Sequence, residues 1–272
     1  MESYVGLIAM GLVLGALGTL IGAGGGFVLM PVLLLMYPHT SPETLTCISL
    51  AVVFFNALSG SWAYARMRRI DYKSGLLFAA AAVPGAVLGA LSTAYIPRHI
   101  FDAVSGVMMI AAAAYLLFQT IEHGKASREK NKPHIAGDEV ATSETAHQVS
   151  CNLRLGVELS LFVGYVSSLL GIGGGIIHVP ILVRVLKFPV HIATATSHFI
   201  LAIMALAGTI VHIVSGSFTH GGIHRTIGLS IGVLLGAQVG AMLSARVKGM
   251  LIIRGLAIAL ACVGLQLLLA IF

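Results

Sequence analysis

A glycine-rich apolar segment occurs twice in this chain, and it constrains the fold more than any other feature. The first copy reads GTLIGAGGGFVLMPVLLL over 18–35, and the second reads SSLLGIGGGIIHVPILV over 167–183. Three adjacent glycines interrupt a helix, because glycine loses the most backbone entropy on becoming helical. In a bilayer, such a break is tolerated only where it lines a cavity or is buried in protein. Two breaks at corresponding positions therefore indicate a transport site between two halves.

The repeat extends well beyond the glycines. The equivalent positions, 149 residues apart, are Gly22 and Gly171, Gly24 and Gly173, Gly25 and Gly174, Gly26 and Gly175, and Pro31 and Pro180. The run PGAVLGA at 84–90 also resembles LGAQVGA at 235–241. The sequence therefore predicts an internal duplication, with a first membrane repeat over 1–121, a polar linker over 122–152 and a second membrane repeat over 153–272.

Composition places this duplication in a membrane. The chain is 57% hydrophobic and only 10% charged, whereas a soluble domain carries about 25% charged residues. Each repeat begins with a long broken element, at 4–37 and 153–186. Six further apolar runs have the length of about 20 residues that a membrane span needs; they lie at 45–65, 74–95, 100–121, 193–214, 226–244 and 251–271. We therefore expect an all-α polytopic membrane protein.

Loop charges indicate how the broken elements cross the membrane. If each element spans the bilayer, ten Lys and Arg residues face the cytoplasm, and six face outside, namely Arg98, Arg184, Lys187, Arg246, Lys248 and Arg254. If each element instead enters and returns, only Arg98 and Arg225 remain outside, and fourteen face the cytoplasm. Cytoplasmic loops carry the excess of Lys and Arg. The sequence thus predicts two inverted repeats, each a broken re-entrant helical hairpin plus three transmembrane helices, with both termini outside and the linker cytoplasmic.

The helix breaks favour an anionic solute. The N-terminus of a helix presents free N–H groups and partial positive charge, and neutral hydroxyls, amides and imidazoles on nearby runs can complete a shell. No acidic residue lies at the centre of a predicted span, where cation carriers often place one. The substrate-binding candidates are Gly22, Gly24, Gly25, Gly26, Gly171, Gly173, Gly174, Gly175, Ser49, Asn56, His178, Thr196, Ser197, His198 and Gln238.

Several of these residues have a plain structural alternative. Glycine pairs in membrane helices often serve close helix packing alone, and His198 is either a hydrogen-bonded structural residue or part of a proton relay with His212. The three cysteines form no CxxC pair, and no Walker, HExxH or GxSxG pattern occurs. We therefore expect no metal site, no cofactor and no enzymatic activity.

The duplicated GxGGGxxxxP motif, from Gly22 to Pro31 and from Gly171 to Pro180, resembles the sulfite exporter TauE/SafE family, also called the toluene sulfonate uptake permeases. The resemblance covers both halves and excludes only the linker. The usual Gly-Thr-Ser-Leu before the second span is replaced by CISL at 47–50 and ATSH at 195–198. The resemblance implies transport of sulfite, thiosulfate, sulfoacetate or related sulfonates across a bacterial inner membrane.

Three functions remain open at this point. The leading hypothesis is a secondary transporter that works by alternating access. The alternatives are a channel-like anion conduit with a static filter at the glycines, and a non-transporting membrane partner in assembly or sensing. We expect the lipid bilayer and a small sulfur-containing anion as partners, with no nucleic acid, and a homodimer is one expectation for the assembly.

Overall fold

A computed structural model describes residues 4–21, 24–129, 153–218, 222–244 and 250–269 of the chain. Apart from short turns, these residues are helical. A π-helical turn, Ile181–Val185, continues the seventh helix. The helices are α1 (Tyr4–Ile21), α2 (Gly26–Met36), α3 (Pro42–Arg66), α4 (Tyr72–Thr93), α5 (Arg98–Glu129), α6 (Leu153–Leu170), α7 (Gly175–Pro180), α8 (Val190–Val214), α9 (Gly222–Ser244) and α10 (Met250–Leu269).

Five of the six predicted spans are present as helices long and apolar enough to cross a membrane. They are α3, α4, the Arg98–Phe118 part of α5, α8 and α9. The all-helical membrane fold expected from the sequence is therefore confirmed. Helix α5 continues to Glu129, past the predicted start of the linker at 122, and residues 130–152 lie outside the described residues.

Capping residues fix where helix α3 begins. Ser41 precedes α3 in an extended conformation, and its hydroxyl accepts a hydrogen bond from the backbone N–H of Thr44 at 3.3 Å. Pro42 occupies the first turn, where its missing N–H has no helical partner to lose. The same logic applies at α4, where the Asp71 carboxylate accepts from the N–H of Lys73 at 3.1 Å. The caps therefore mark where α3 and α4 each begin as separate helices.

Each hairpin packs its first arm against a helix of the other repeat. Helix α1 lies along α9, with Leu7 against Gly228 near their starts and Ala16 against Gly240 further on. Residue numbers rise together on both helices, so the pair runs parallel. Helix α6 lies along α4 in the same way. The first arm of each hairpin therefore packs against a helix of the other repeat.

The two repeats also meet through pairs of equivalent helices. At the centre, α3 packs on α8 with Gly60 against His198 and Gly208 against Leu50, so these helices run antiparallel. Helices α5 and α10 form a second antiparallel pair. In addition, α3 packs on α9 and α8 packs on α4. This pairing scheme is unchanged when the two repeats are exchanged.

Both broken elements form hairpins whose two ends lie together. In the first, the Tyr4 ring lies 3.8 Å from the His224 ring, and the Arg225 guanidinium lies 3.7 Å over the Tyr37 ring. The start of α1 and the residue after α2 therefore meet the same turn of α9. In the second, Gly156 near the start of α6 lies against the side chain of Leu186, which directly follows the π-helical turn.

Glycine in the PGAVLGA run permits the close approach of α4 to α6. A Cβ atom added at Gly85 would overlap the carbonyl oxygen of Leu161. We expect Gly85→Val to force the helices apart and to lower the unfolding free energy by about 1–3 kcal/mol, as overpacking does elsewhere. Thermal unfolding of the purified protein measures this. Leu88→Val, at a side chain that is 57% exposed on the same helix, is the matched control, and equal melting temperatures for the two variants would contradict the packing argument.

Candidate functional site

Left-handed glycines form the tip of each hairpin. Gly24 and Gly25 have φ of 74° and 77°, and Gly173 and Gly174 have φ of 75° and 54°. An L-residue with a Cβ atom is disfavoured in this region by roughly 1–2 kcal/mol, which explains why the tips are built of glycine. Gly171 shares this conformation with φ of 65°. Gly22, its equivalent among the predicted site residues, lies outside the described residues.

Each tip reverses the chain before a second helical arm begins. The N–H of Gly24 donates to the carbonyl of Gly18 at 3.2 Å, and the N–H of Ile172 donates to the carbonyl of Ser167 at 3.2 Å. The chain then enters α2 and α7, where the N–H of Val28 donates to the Gly25 carbonyl at 3.1 Å and the N–H of Ile177 to the Gly174 carbonyl at 3.0 Å. The N–H groups before Val28 have no carbonyl within α2 to bind. Gly26 and Gly175 are the first residues of these arms, as the repeated motif predicts.

The two tips meet each other where α3 crosses α8. A Cβ atom at Gly26 would stand 2.7 Å from the carbonyl oxygen of Ile172, so the backbones of the two hairpins are in direct contact. The buried side chains of Val53 and Leu201 lie against Gly173 and Gly24 respectively. In this conformation the tips are therefore closed by two apolar side chains, one from each repeat.

A polar cluster surrounds the first tip. The Thr19 hydroxyl donates to Asn56 Oδ1 at 3.3 Å, which leaves the Asn56 amide nitrogen directed toward Gly25. A Cβ atom at Gly25 would lie 3.4 Å from that Nδ2 atom. Asn56 is 1% exposed, and Nδ2 has no hydrogen-bond partner among the described residues. A buried donor without a partner is costly, so this amide is a candidate ligand.

His198 completes the cluster from α8. Its Nδ1 atom lies 3.3 Å from the Thr194 carbonyl, and its Nε2 atom, fully buried, has no partner within the described chain. The ring lies edge-on to Tyr64 at 5.4 Å, and the Tyr64 hydroxyl donates to the Thr19 carbonyl at 3.1 Å. His198 thus lies against Gly60, one turn of α3 beyond Asn56, and Thr19 lies beside both Asn56 and Gly60.

The second tip is held by a different set of contacts. The Ser49 hydroxyl donates to the carbonyl of Gly171 at 2.5 Å, which ties α3 to the second hairpin. Ser197, the equivalent position on α8, is buried, and its hydroxyl has no partner among the residues that the structure describes. Gly174 lies against Ser167 and Met204, so the second tip has serine hydroxyls but no amide or imidazole beside it.

Three of the residues predicted to bind substrate form hydrogen bonds away from the tips. The Thr196 hydroxyl accepts from the backbone N–H of Asp71 at 3.1 Å, at the turn between α3 and α4. Gln238 donates through Nε2 to Ser59 at 2.8–2.9 Å and joins α9 to α3. His178 is fully buried, with Nε2 3.4 Å from the Ser160 hydroxyl, and so links the two arms of the second hairpin. The structure does not bring these side chains to the tips.

Four residues that lie at the tips were not among the predicted substrate-binding residues; they are Thr19, Val53, Tyr64 and Leu201. Thr19 and Tyr64 carried a usable signal. Tyr64 lies two helical turns beyond Asn56 on the same face of α3. Thr19 lies three residues before Gly22, the first glycine of the repeated motif. Val53 and Leu201 are ordinary apolar side chains in apolar helices, so their position at the tips is visible only in the fold.

An apolar cavity of about 270 Å³ lies beside the second arms of the hairpins. Its walls come mainly from α5, α7 and the π-helical turn, and include Met108, Tyr115, Ile176 and Ile181. Almost all of the lining is hydrocarbon, so the cavity offers no shell for a small anion. The polar cluster at the first tip is the better candidate site.

Residues 7–267 match the family described as Sulfite exporter TauE/SafE. That match covers nearly the whole chain. The chain belongs to this family. It is a TauE/SafE membrane transporter with several membrane spans, and the resemblance expected from the duplicated GxGGGxxxxP motif is confirmed.

Curated relatives of this TauE/SafE protein carry transporter names. It is 31% identical over 222 residues to "Probable membrane transporter protein YunE" of Bacillus subtilis, which covers 79% of this chain and 80% of the relative. It is 27% identical over 234 residues to "Probable membrane transporter protein MJ0441" of Methanocaldococcus jannaschii, over 84% and 79% of the two chains. No solved structure matches the chain.

The positive φ of the tip glycines gives a direct test. We expect Gly25→Ala to reduce the unfolding free energy by about 1–2 kcal/mol, because an alanine Cβ atom strains a backbone at φ 77°. Gly6→Ala is the matched control, since a Cβ atom at Gly6 meets nothing within 4 Å and lies in a helix, where alanine is favoured. Chemical or thermal unfolding in detergent compares the two variants, and an equally stable Gly25→Ala protein would contradict the proposed tip geometry.

Proposed function

We propose that this protein is a secondary transporter that moves a small sulfur-containing oxyanion or organosulfonate, such as sulfite, thiosulfate or sulfoacetate, by alternating access. The observation that carries the proposal is the meeting of two glycine tips, one from each repeat, at the crossing of α3 and α8. Irregular backbone at membrane depth marks solute sites in transporters built from repeats. Family membership supports the sulfur-containing substrate.

The charge distribution around the tips supports an anion. The acidic residues of the described helices and their caps lie near helix ends; they are Glu43, Asp71, Asp102, Glu122, Glu129 and Glu158. The tips themselves contribute backbone N–H groups, and Asn56 adds an amide donor. An anion placed there meets partial positive charge from the start of α2 and no described carboxylate.

The hairpins support a re-entrant arrangement in which the two repeats are inverted. Both ends of the first hairpin meet the start of α9, and both ends of the second lie together at the start of α4, beside Phe78. With six full spans, this arrangement leaves only Arg98 and Arg225 on one side. The other side, with the Lys and Arg excess, is then cytoplasmic. We propose a plasma-membrane location, which is the inner membrane in a bacterium with two membranes, with both termini outside.

The apolar contacts at the tips support alternating access. Val53 and Leu201 come from the antiparallel helices α3 and α8; Leu201 lies against Gly24, and Val53 lies against Gly173 and Gly26. Rocking one repeat against the other would release one of these contacts while keeping the other. The anion would thereby reach first one side of the membrane and then the other, without a continuous pore.

Proteoliposome flux tests this function. Uptake of radiolabelled sulfite should saturate with concentration and show counterflow, because a carrier must reorient with each solute. Gly174→Leu should reduce the rate at least tenfold, since the side chain would fill a backbone turn at φ 54°. Gly6→Ala is the control. Flux without saturation or counterflow would favour the channel-like conduit, and full activity in a folded Gly174→Leu protein would favour a non-transporting assembly or sensing partner.

Cysteine labelling tests the re-entrant hairpins. In a variant without Cys47, Cys151 and Cys262, single cysteines at His39 and Ser215 should react with an impermeant maleimide from outside the cell. A cysteine at Arg68 or Lys187 should react only from the cytoplasm. Opposite accessibility of His39 and Ser215 would contradict the arrangement, because the residues after α2 and α8 would then lie on different sides.

A further inference from the structure

The polar side chains at the two tips are not equivalent, although the backbone around them is. Positions on α3 recur on α8 148 residues later, as Gly60 and Gly208 do. By this register, the counterpart of Asn56 is Met204, and the counterpart of His198 is Leu50. An amide and an imidazole at the first tip thus correspond to a thioether and an alkyl group at the second.

Contacts confirm that these pairs occupy matching places. Gly25 lies against Asn56 Nδ2, and Gly174 lies against the Met204 methyl group, with distances of 3.4 and 3.0 Å from an added Cβ atom. One turn further along, Gly60 lies against His198, and Gly208 lies against Leu50. The first arms differ little, because Thr19 and Ser168 both place a hydroxyl-bearing side chain beside these glycines.

The hydrogen bonds already present fix what the first tip can still offer. Asn56 accepts from Thr19 through Oδ1, so its free Nδ2 group is a donor. The Thr194 carbonyl can only accept, so His198 Nδ1 carries the hydrogen, and Nε2 of the neutral ring is an acceptor. The tip therefore presents one unsatisfied donor and one unsatisfied acceptor, both buried.

We propose that the transporter binds its solute asymmetrically, through an amide–imidazole half-site formed at the first tip by Asn56 and His198, and that it takes an oxyanion bearing one hydroxyl group, such as hydrogensulfite. This inference rests on the proposed transport function and specifies its site. An oxygen of the anion accepts from Asn56 Nδ2 and from the N–H groups at the start of α2, while its hydroxyl donates to His198 Nε2. At the second tip, Met204 and Leu50 occupy the equivalent positions and contribute no hydrogen bond, so that hydroxyls such as those of Ser167 and Ser168 are the polar groups there.

Exchange of side chains between the repeats provides matched variants. We expect N56M/H198L, which copies the second tip onto the first, to lower uptake of labelled sulfite at least tenfold at subsaturating concentration. We expect L50M/M204L, which keeps both of these positions at the second tip apolar, to stay within about twofold of the unchanged protein. Melting temperature and size-exclusion profile establish that each variant is folded.

The full exchange, L50H/N56M/H198L/M204N, moves the polar pair to the second tip with the same set of side chains. We expect it to regain at least part of the uptake lost in N56M/H198L, and it provides a second test if the double variant fails to fold. Normal uptake by N56M/H198L would overturn the half-site while leaving transport at the glycine tips intact. A protein without saturable sulfite flux in its unchanged form would instead overturn the proposed function.

A pair of competing ligands tests the hydroxyl. Hydrogensulfite and methanesulfinate are both pyramidal at sulfur and carry a single negative charge, but methanesulfinate has a methyl group in place of the O–H group. In a buffer acidic enough to keep sulfite singly protonated, we expect methanesulfinate to compete at least tenfold more weakly, because it leaves His198 Nε2 unsatisfied. Equal competition by the two anions would overturn the assigned role of His198 as an acceptor.

Discussion

The structure depends on how it covers the backbone of two broken helices. At membrane depth, each uncovered N–H or C=O group costs several kcal/mol, so an interrupted helix requires protein on all sides. Helices α9 and α4 cover the first arms, and the α3–α8 crossing covers the tips. Ser49 adds a side-chain hydrogen bond to the carbonyl of Gly171. The glycines that break the helices therefore require the interleaved packing of the two repeats.

Glycine serves two separate physical purposes in this chain. In the small-residue runs of α4 and α9, at Gly85 and Gly236, it lies in regular helix and allows backbone contact with α6 and α1. At Gly25 and Gly174 it adopts a left-handed conformation that other residues resist. The sequence distinguishes these purposes because tripled glycine cannot sustain a helix, whereas glycine at a spacing of four residues can line one helical face.

Much of the fold was predictable because the signals for it are local and repeated. Apolar length located the long helices, and the repeated GxGGG motif located both tips. The predicted span at 100–121 agrees with the apolar part of α5, Arg98–Phe118, and the sequence signal missed only that the helix continues through polar residues to Glu129. The site was less predictable. Thr196 and Gln238 are polar residues in apolar helices, as Asn56 is, but they bond to Asp71 and Ser59. Helical periodicity does not reveal which neighbour a buried polar group meets.

The asymmetry between the tips has an energetic consequence. In the closed conformation, Asn56 Nδ2 and His198 Nε2 are buried without partners among the described residues, at a cost of roughly 1–3 kcal/mol each. Met204 and Leu50 carry no such penalty. If the repeats are inverted, exchanging their conformations would give two states of similar packing, and the polar pair is what makes those states unequal. A bound oxyanion would satisfy both groups and lower the energy of the state that encloses it, since a ligand shifts a conformational equilibrium only by its difference in affinity for the two states.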